Sequence, residues 1–83
     1  MTLLPLITSN TKTATFLILQ GYNFKGISYE LRDGKPRGFF VFERNPGIET
    51  ARESFENGNE RVDLARFEAQ YNELITRIVR GMP

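Results

Sequence analysis

Residues 27–44 read first as a β-hairpin. In Ile27-Ser28-Tyr29-Glu30-Leu31-Arg32, apolar and polar residues alternate, the pattern of a half-buried strand. Asp33-Gly34-Lys35-Pro36 follows, a turn cluster built on Asp-Gly. The next run, Arg37-Gly38-Phe39-Phe40-Val41-Phe42-Glu43-Arg44, is apolar on both sides: Phe39 and Val41 on one face, Phe40 and Phe42 on the other. Pro36 has no N–H to donate and is expected outside the ladder. A two-stranded hairpin by itself is marginal in water. One of its faces must therefore be covered, and the rest of the chain must supply the cover.

Three segments with helical periodicity are available. The clearest begins at Asp63, a good N-cap, with Val62 and Phe67 at staple spacing. Phe67, Tyr71, Leu74 and Ile78 form its apolar stripe, widened by Leu64, Ile75 and Val79. Arg77 and Arg80 favour the negative end of its dipole, and Gly81 closes it. A shorter helix is expected from Ser9 to Gln20, capped by Thr8 or Ser9 and ended by Gly21. Its apolar face is Ala14, Leu17 and Ile18, with Phe16 and Leu19 on the flanks. Thr11, Thr13 and Thr15 are β-branched and favour a strand as the competing assignment. The remaining helix runs to about Glu56, with Asn45 as cap, Pro46 at its first position, and Ile48, Ala51, Arg52 and Phe55 in line.

The fold class expected is α+β: one hairpin packed against three helices in the order α-β-β-α-α. The 83 residues are read as a single domain, with residues 1–8 as an N-terminal arm and 9–80 as the compact core. Leu3 to Ile7 could add a third strand, cover an edge, or meet a partner.

Composition narrows the chemistry. The chain has no cysteine and no histidine. That excludes a disulfide scaffold, thiolate or imidazole zinc sites, and Ser–His–Asp or Cys–His triads. No phosphate-cradling loop ending in Gly-Lys-Ser/Thr is present. Glu49, Glu53 and Glu56 share one side of a helix, but a solvated acidic face explains them. The expectation is a protein with no catalytic residues, no cofactor and no metal. No apolar run reaches the roughly 20 residues of a membrane span. The short apolar start lacks the basic lead of a signal peptide, so the expected location is the cytoplasm.

Charge is uneven. Residues 1–44 carry six basic and three acidic side chains, whereas residues 45–83 carry five basic and seven acidic ones. Eight of the eleven basic residues are arginine, which suits bidentate recognition of phosphate or carboxylate.

Gln20-Gly21-Tyr22, Lys25-Gly26-Ile27, Phe39-Phe40-Val41-Phe42-Glu43, Phe55-Glu56-Asn57-Gly58, Val62-Asp63 and Phe67, in that order, resemble a small bacterial and phage family known as domain of unknown function family 5659. The resemblance covers about residues 8–79. It implies a stand-alone small protein of phage or mobile-element type. It implies no activity and transfers no functional residue.

Two surfaces are candidates for function. Arg37-Gly38-Phe39-Phe40-Val41-Phe42 is similar to the central strand of RNA-recognition domains, in which alternating aromatics stack bases. On that reading Lys25, Arg32, Lys35, Arg37 and Arg44 hold phosphates, and Phe40 or Tyr29 stacks. The run departs from the motif by one missing residue between Phe39 and Phe40, and the strand order of that fold is absent. The second surface is the arm, where Leu3, Leu4, Leu6 and Ile7 either pack on the sheet or meet a second chain. The expected function is a non-enzymatic accessory protein acting through protein–protein contact, its partner another protein or a second copy in a homodimer. Nucleic-acid binding through residues 25–44 is the alternative.

Overall fold

The computed structural model of the chain describes residues 4–82. The elements are β1 (Leu6–Thr8), α1 (Thr11–Leu19), β2 (Phe24–Arg32), β3 (Lys35–Phe42), α2 (Ile48–Glu56) and α3 (Leu64–Arg80). The three strands form one antiparallel sheet in the order β1-β3-β2. The α+β class stands, and the arm contributes a third strand. The shortest dimension of the described residues is 20 Å, which leaves room for one sheet and one layer of helices.

The hairpin turn follows directly from its two residues. Asp33 (φ 53°) and Gly34 (φ 76°) both take the left-handed conformation that a two-residue type I′ turn demands. The register is thereby set at Arg32 opposite Lys35, Glu30 opposite Arg37, Ser28 opposite Phe39 and Ile27 opposite Phe40. Pro36 lies inside β3, opposite Leu31, rather than outside the ladder. The closing pair of such a turn is hydrogen-bonded, so at the next pair the backbone amides point away from the partner strand. Pro36 loses no bond there, and β1 pairs only with Phe40–Phe42, well short of it. β2 also begins earlier than alternation indicates, at Phe24, because an irregularity between Phe24 and Gly26 breaks the period of two.

α1 starts two residues later than expected. Its cap is Asn10, whose Oδ1 accepts from the amides of Lys12 (3.0 Å) and Thr13 (3.2 Å). Thr8 instead accepts from the Asn10 amide. At the far end Gly21 (φ 91°) donates to Ile18 O and Tyr22 to Leu17 O, a Schellman closure. Residues 13–17 of α1 are all buried, because the helix packs against both α2 and α3. No single apolar face exists on such an element, and Phe16 is as buried as Leu17. The buried threonines are satisfied: Thr15 Oγ1 donates to Thr11 O (2.8 Å), and Thr13 Oγ1 to Glu56 Oε2 (2.9 Å).

α2 begins at Ile48, not Pro46, with Gly47 at its N-cap and the Ile48 amide donating to Asn45 O. α3 is capped by Asp63, which accepts from the Arg66 amide at 3.0 Å. Its stripe narrows at both ends. Leu74 is buried and Phe67, Tyr71, Ile75 and Ile78 are half-buried, but Leu64 and Val79 face solvent.

The core is Leu6, Ala14, Phe16, Leu17, Phe40, Phe42, Ile48 and Leu74. Aromatic rings extend it in a chain. Phe16 stacks on Phe55 (4.6 Å), Phe55 leans on Phe67 (6.0 Å), and Phe67 stacks on Tyr71 (6.4 Å). Phe24 covers Phe42 and Phe40 from the sheet side. The end of α3 closes over the hairpin at Gly38, where any side chain would collide with Ile78. Tyr29 Oη donates to Ile78 O (3.0 Å), satisfying one of the free carbonyls of the helix end.

Candidate functional site: the open face of the sheet

Every helix lies on one side of the sheet, and side-chain parity decides what remains on the other. Leu6, Phe40 and Phe42 point into the core. Their neighbours Ile7, Val41 and Phe39 therefore point outward, joined across β2 by Gly26, Ser28, Glu30 and Arg32. Ile7 is 57% exposed, a high value for an isoleucine in a strand. Ile7, Val41 and Phe39 make a short apolar stripe over β1 and β3. Beside it, Ile7, Ser28, Glu30, Arg32 and Phe39 line a shallow depression of about 230 Å³.

Charge is arranged around this stripe rather than through it. The Arg32 guanidinium lies 5.4 Å from the centre of the Phe39 ring, and its Nε donates to Glu30 Oε1 at 2.6 Å. Glu30 thus helps to keep Arg32 over the ring. Arg37 and Lys35 extend the same face toward the turn, both exposed. The turn end of the hairpin is mildly basic, with Arg32, Lys35 and Arg37 against Glu30 and the turn residue Asp33, three positive charges against two negative for a net charge of +1.

The expected site residues separate into distinct groups. Arg32, Lys35 and Arg37 do come together. Lys25 is exposed but sits in the irregular stretch at the start of β2, at the opposite end of the strand. Arg44 is engaged elsewhere: its Nε donates to Leu4 O (2.8 Å) and its guanidinium faces Glu49 at 3.6 Å, clasping the arm to α2. Phe40 is corrected outright. It is fully buried, opposite Ile27 and Thr8, and can stack on nothing outside the protein. Tyr29 shares that covered face and spends its hydroxyl on α3. Of the arm, Leu6 is core and not interface, because it pairs with Phe42 beneath the helices. Ile7 and Leu4 are exposed, and Leu3 lies outside the described residues.

Phe39 is the residue that sequence reasoning passed over. The signal was present. The two-residue turn places Ser28 opposite Phe39 and Ile27 opposite Phe40, and the polar set of β2 is Ser28, Glu30 and Arg32. Phe39 therefore belongs to the polar, outward face.

A second electrostatic cluster lies on α2. Arg52 bridges Glu49 (3.0 Å) and Glu56 (3.1 Å), and Glu56 also accepts from Thr13. The Arg52 hydrogen bond, helped by the charges of Arg52 and Arg44, holds the Glu49 carboxyl below its usual range. Arg52 is raised in return. Two of the three carboxylates on this side of α2 are thus committed to an arginine. No group of three or more metal-ligating side chains occurs among the described residues, and no helix there is long and apolar enough to cross a membrane.

A family model described as a domain of unknown function, DUF5659, matches residues 6–80. No curated protein and no solved structure matches the chain.

Proposed function

The chain belongs to the DUF5659 family, a domain of unknown function, and on that premise we propose that it is a non-enzymatic module that binds another protein through the open face of its sheet. The observation that carries this reading is the union of two features at opposite ends of the N-terminal half. The exposed Ile7 from the arm and the half-buried Phe39 and Val41 from the hairpin form one apolar stripe on the face away from the helices. An apolar centre with a charged border is the anatomy of a protein contact. The basic border selects the partner's chemistry: an apolar patch flanked by carboxylates. The chain has neither cysteine nor histidine to offer for catalysis, which is in keeping with a binding role.

The test pairs the parent with Phe39→Asp and Ile7→Asp. Neither side chain belongs to the buried core, so both variants should remain folded, which their thermal melts check. A partner retained by the parent is identified, purified and titrated. The expected result is at least ~tenfold weaker binding for each variant, and weakening of the parent complex by salt. Equal affinity for parent and Phe39→Asp would remove the open face from function.

One observation favours a second reading. Arg32 stacked on Phe39, with Arg37 and Lys35 nearby, could hold a single-stranded nucleic acid by stacking and phosphate contact. Fluorescence anisotropy of labelled RNA and DNA at low and physiological salt separates the two. Binding that falls steeply with salt, and is lost in the Arg32→Ala, Arg37→Ala double variant, would transfer the site to nucleic acid. No binding at low salt retires that reading.

A further inference from the structure

β3 is paired on both sides, but β2 is not. It is nine residues long and lies at the border of the sheet, and among the described residues only β3 pairs with it. The register decides which of its backbone groups are free. Arg32 and Lys35 close a two-residue turn and are a hydrogen-bonded pair, so Glu30 and Ser28 also spend their amides and carbonyls on β3. The groups of Ile27, Tyr29 and Leu31 point the other way. Among the described residues, no turn, loop or cap backbone bond uses them. Leu31 is 72% exposed at the same border, which is unusual for a leucine inside a strand. A long free edge with an exposed leucine is the type of strand that natural sheets normally shield.

We propose that the β2 edge pairs antiparallel with the β2 edge of a second copy of this chain, joining the two sheets into one. Self-pairing of a strand requires a twofold axis, and Tyr29 opposite the partner's Tyr29 is the register that uses all the free groups. Ile27 then stands opposite the partner's Leu31, and Leu31 opposite the partner's Ile27. Each of these pairs exchanges both backbone hydrogen bonds, and the exposed leucine gains an apolar neighbour on the helix side. The same axis sets Lys25 against the partner's Asp33 at each end of the new ladder, an opposite-charge match of two side chains that are exposed in the single chain. Such a ladder is small beside the ~800 Å² per partner buried in a stable complex. The association is therefore a concentration-dependent one. This proposal uses the edge of the sheet and does not depend on the open face, which the joined sheet would present twice over.

The test is sedimentation equilibrium of the full chain from micromolar to millimolar concentration, alongside Leu31→Pro. Proline at residue 31 deletes an outward amide and leaves the bonds to β3 intact, since Leu31 stands at a non-bonded pair. The expected result is a mass rising toward twice 9.6 kDa in the parent and a dissociation constant at least ~tenfold higher in Leu31→Pro. Amide exchange on the parent gives an independent readout that needs no variant. The amides of Ile27, Tyr29 and Leu31 should become protected as concentration rises. A single-chain mass at every concentration overturns the proposal. So does a dimer whose formation leaves those three amides unprotected. A dimer abolished by Phe39→Asp but not by Leu31→Pro would place the contact on the open face instead.

Discussion

Phe39 and Phe40 are neighbours in sequence with opposite fates. Phe40 is fully buried in the core that also holds Phe16 and Leu17 of α1, whereas Phe39 lies on the outer face under Arg32. Nothing in the two side chains distinguishes them; parity and register do. Gly38, beside them, shows how narrow the tolerance is on the covered face. Its missing side chain is the space that Ile78 fills. Gly38→Val should destabilise the protein by about 1–3 kcal/mol through overpacking. Chemical denaturation measures it, and an unchanged midpoint would mean that the end of α3 moves away freely. Leu6 and Ile7 make a matching contrast. Leu6→Ala empties a core site and should cost about 2–5 kcal/mol. Ile7→Ala should stay within about 0.5 kcal/mol in the same experiment.

Glu49 adds a pH dependence at this scale. Its folded carboxyl titrates below the ordinary value of 4.5, first because Arg52 hydrogen-bonds it. A group depressed by folding stabilises fully above its unfolded value and loses that contribution as pH falls through the folded one. The stabilising effect of Glu49 is thus complete near neutrality, starts to fade near 4.5 and is gone in stronger acid. Thermal melts of the parent and Glu49→Gln from neutral pH to about pH 3 should converge on acidification. A gap that persists in acid would assign the effect to packing rather than charge.

At the scale of elements, caps and turns explain most boundaries. α1 begins where a side chain reaches back to two free amides, and Asn10 is that side chain. Asn10→Ala should cost about 0.5–2 kcal/mol, while Ser9→Ala should cost almost nothing. Equal effects from the two would show that the cap is shared. The three threonines in α1 oppose a helix by propensity, yet two are buried with their hydroxyls satisfied, and packing overrides preference. α3 was the most legible element because its amphipathic period, its cap and its basic last turn agree. The beginning of β2 was least legible, since the irregularity at Lys25 and Gly26 interrupts the alternation by which strands are read.

At the scale of the whole molecule, α1 is the hub. It crosses the sheet between its two border strands, and α2 and α3 pack on its flanks. All helices share one layer, so among the described residues the sheet keeps one face and one long edge open. That division also governs where substitution should be tolerated. Changes at Phe39, Arg37 or Leu31 should leave the melting transition nearly unchanged, whereas changes at Phe16, Phe42 or Leu74 should lower it sharply. A thermal melt of one variant from each set checks this, and a large loss at Phe39 would mean that the outer face is part of the core.

Turn chemistry and periodicity, both local properties, made the hairpin, the last helix and the α+β class readable directly from the residues. The Asp33-Gly34 turn together with the polar alternation of β2 even contained the identity of the open face, because register carries parity from one strand to the next. Other features depend on contacts between residues far apart in the chain. Leu6–Thr8 became a strand only because β3 had an unpaired side to offer. Arg44 became a clasp only because Leu4 and Glu49 arrived beside it. A three-residue strand or a single arginine has too little local pattern to declare itself, and its role is decided by what the folded chain brings within reach.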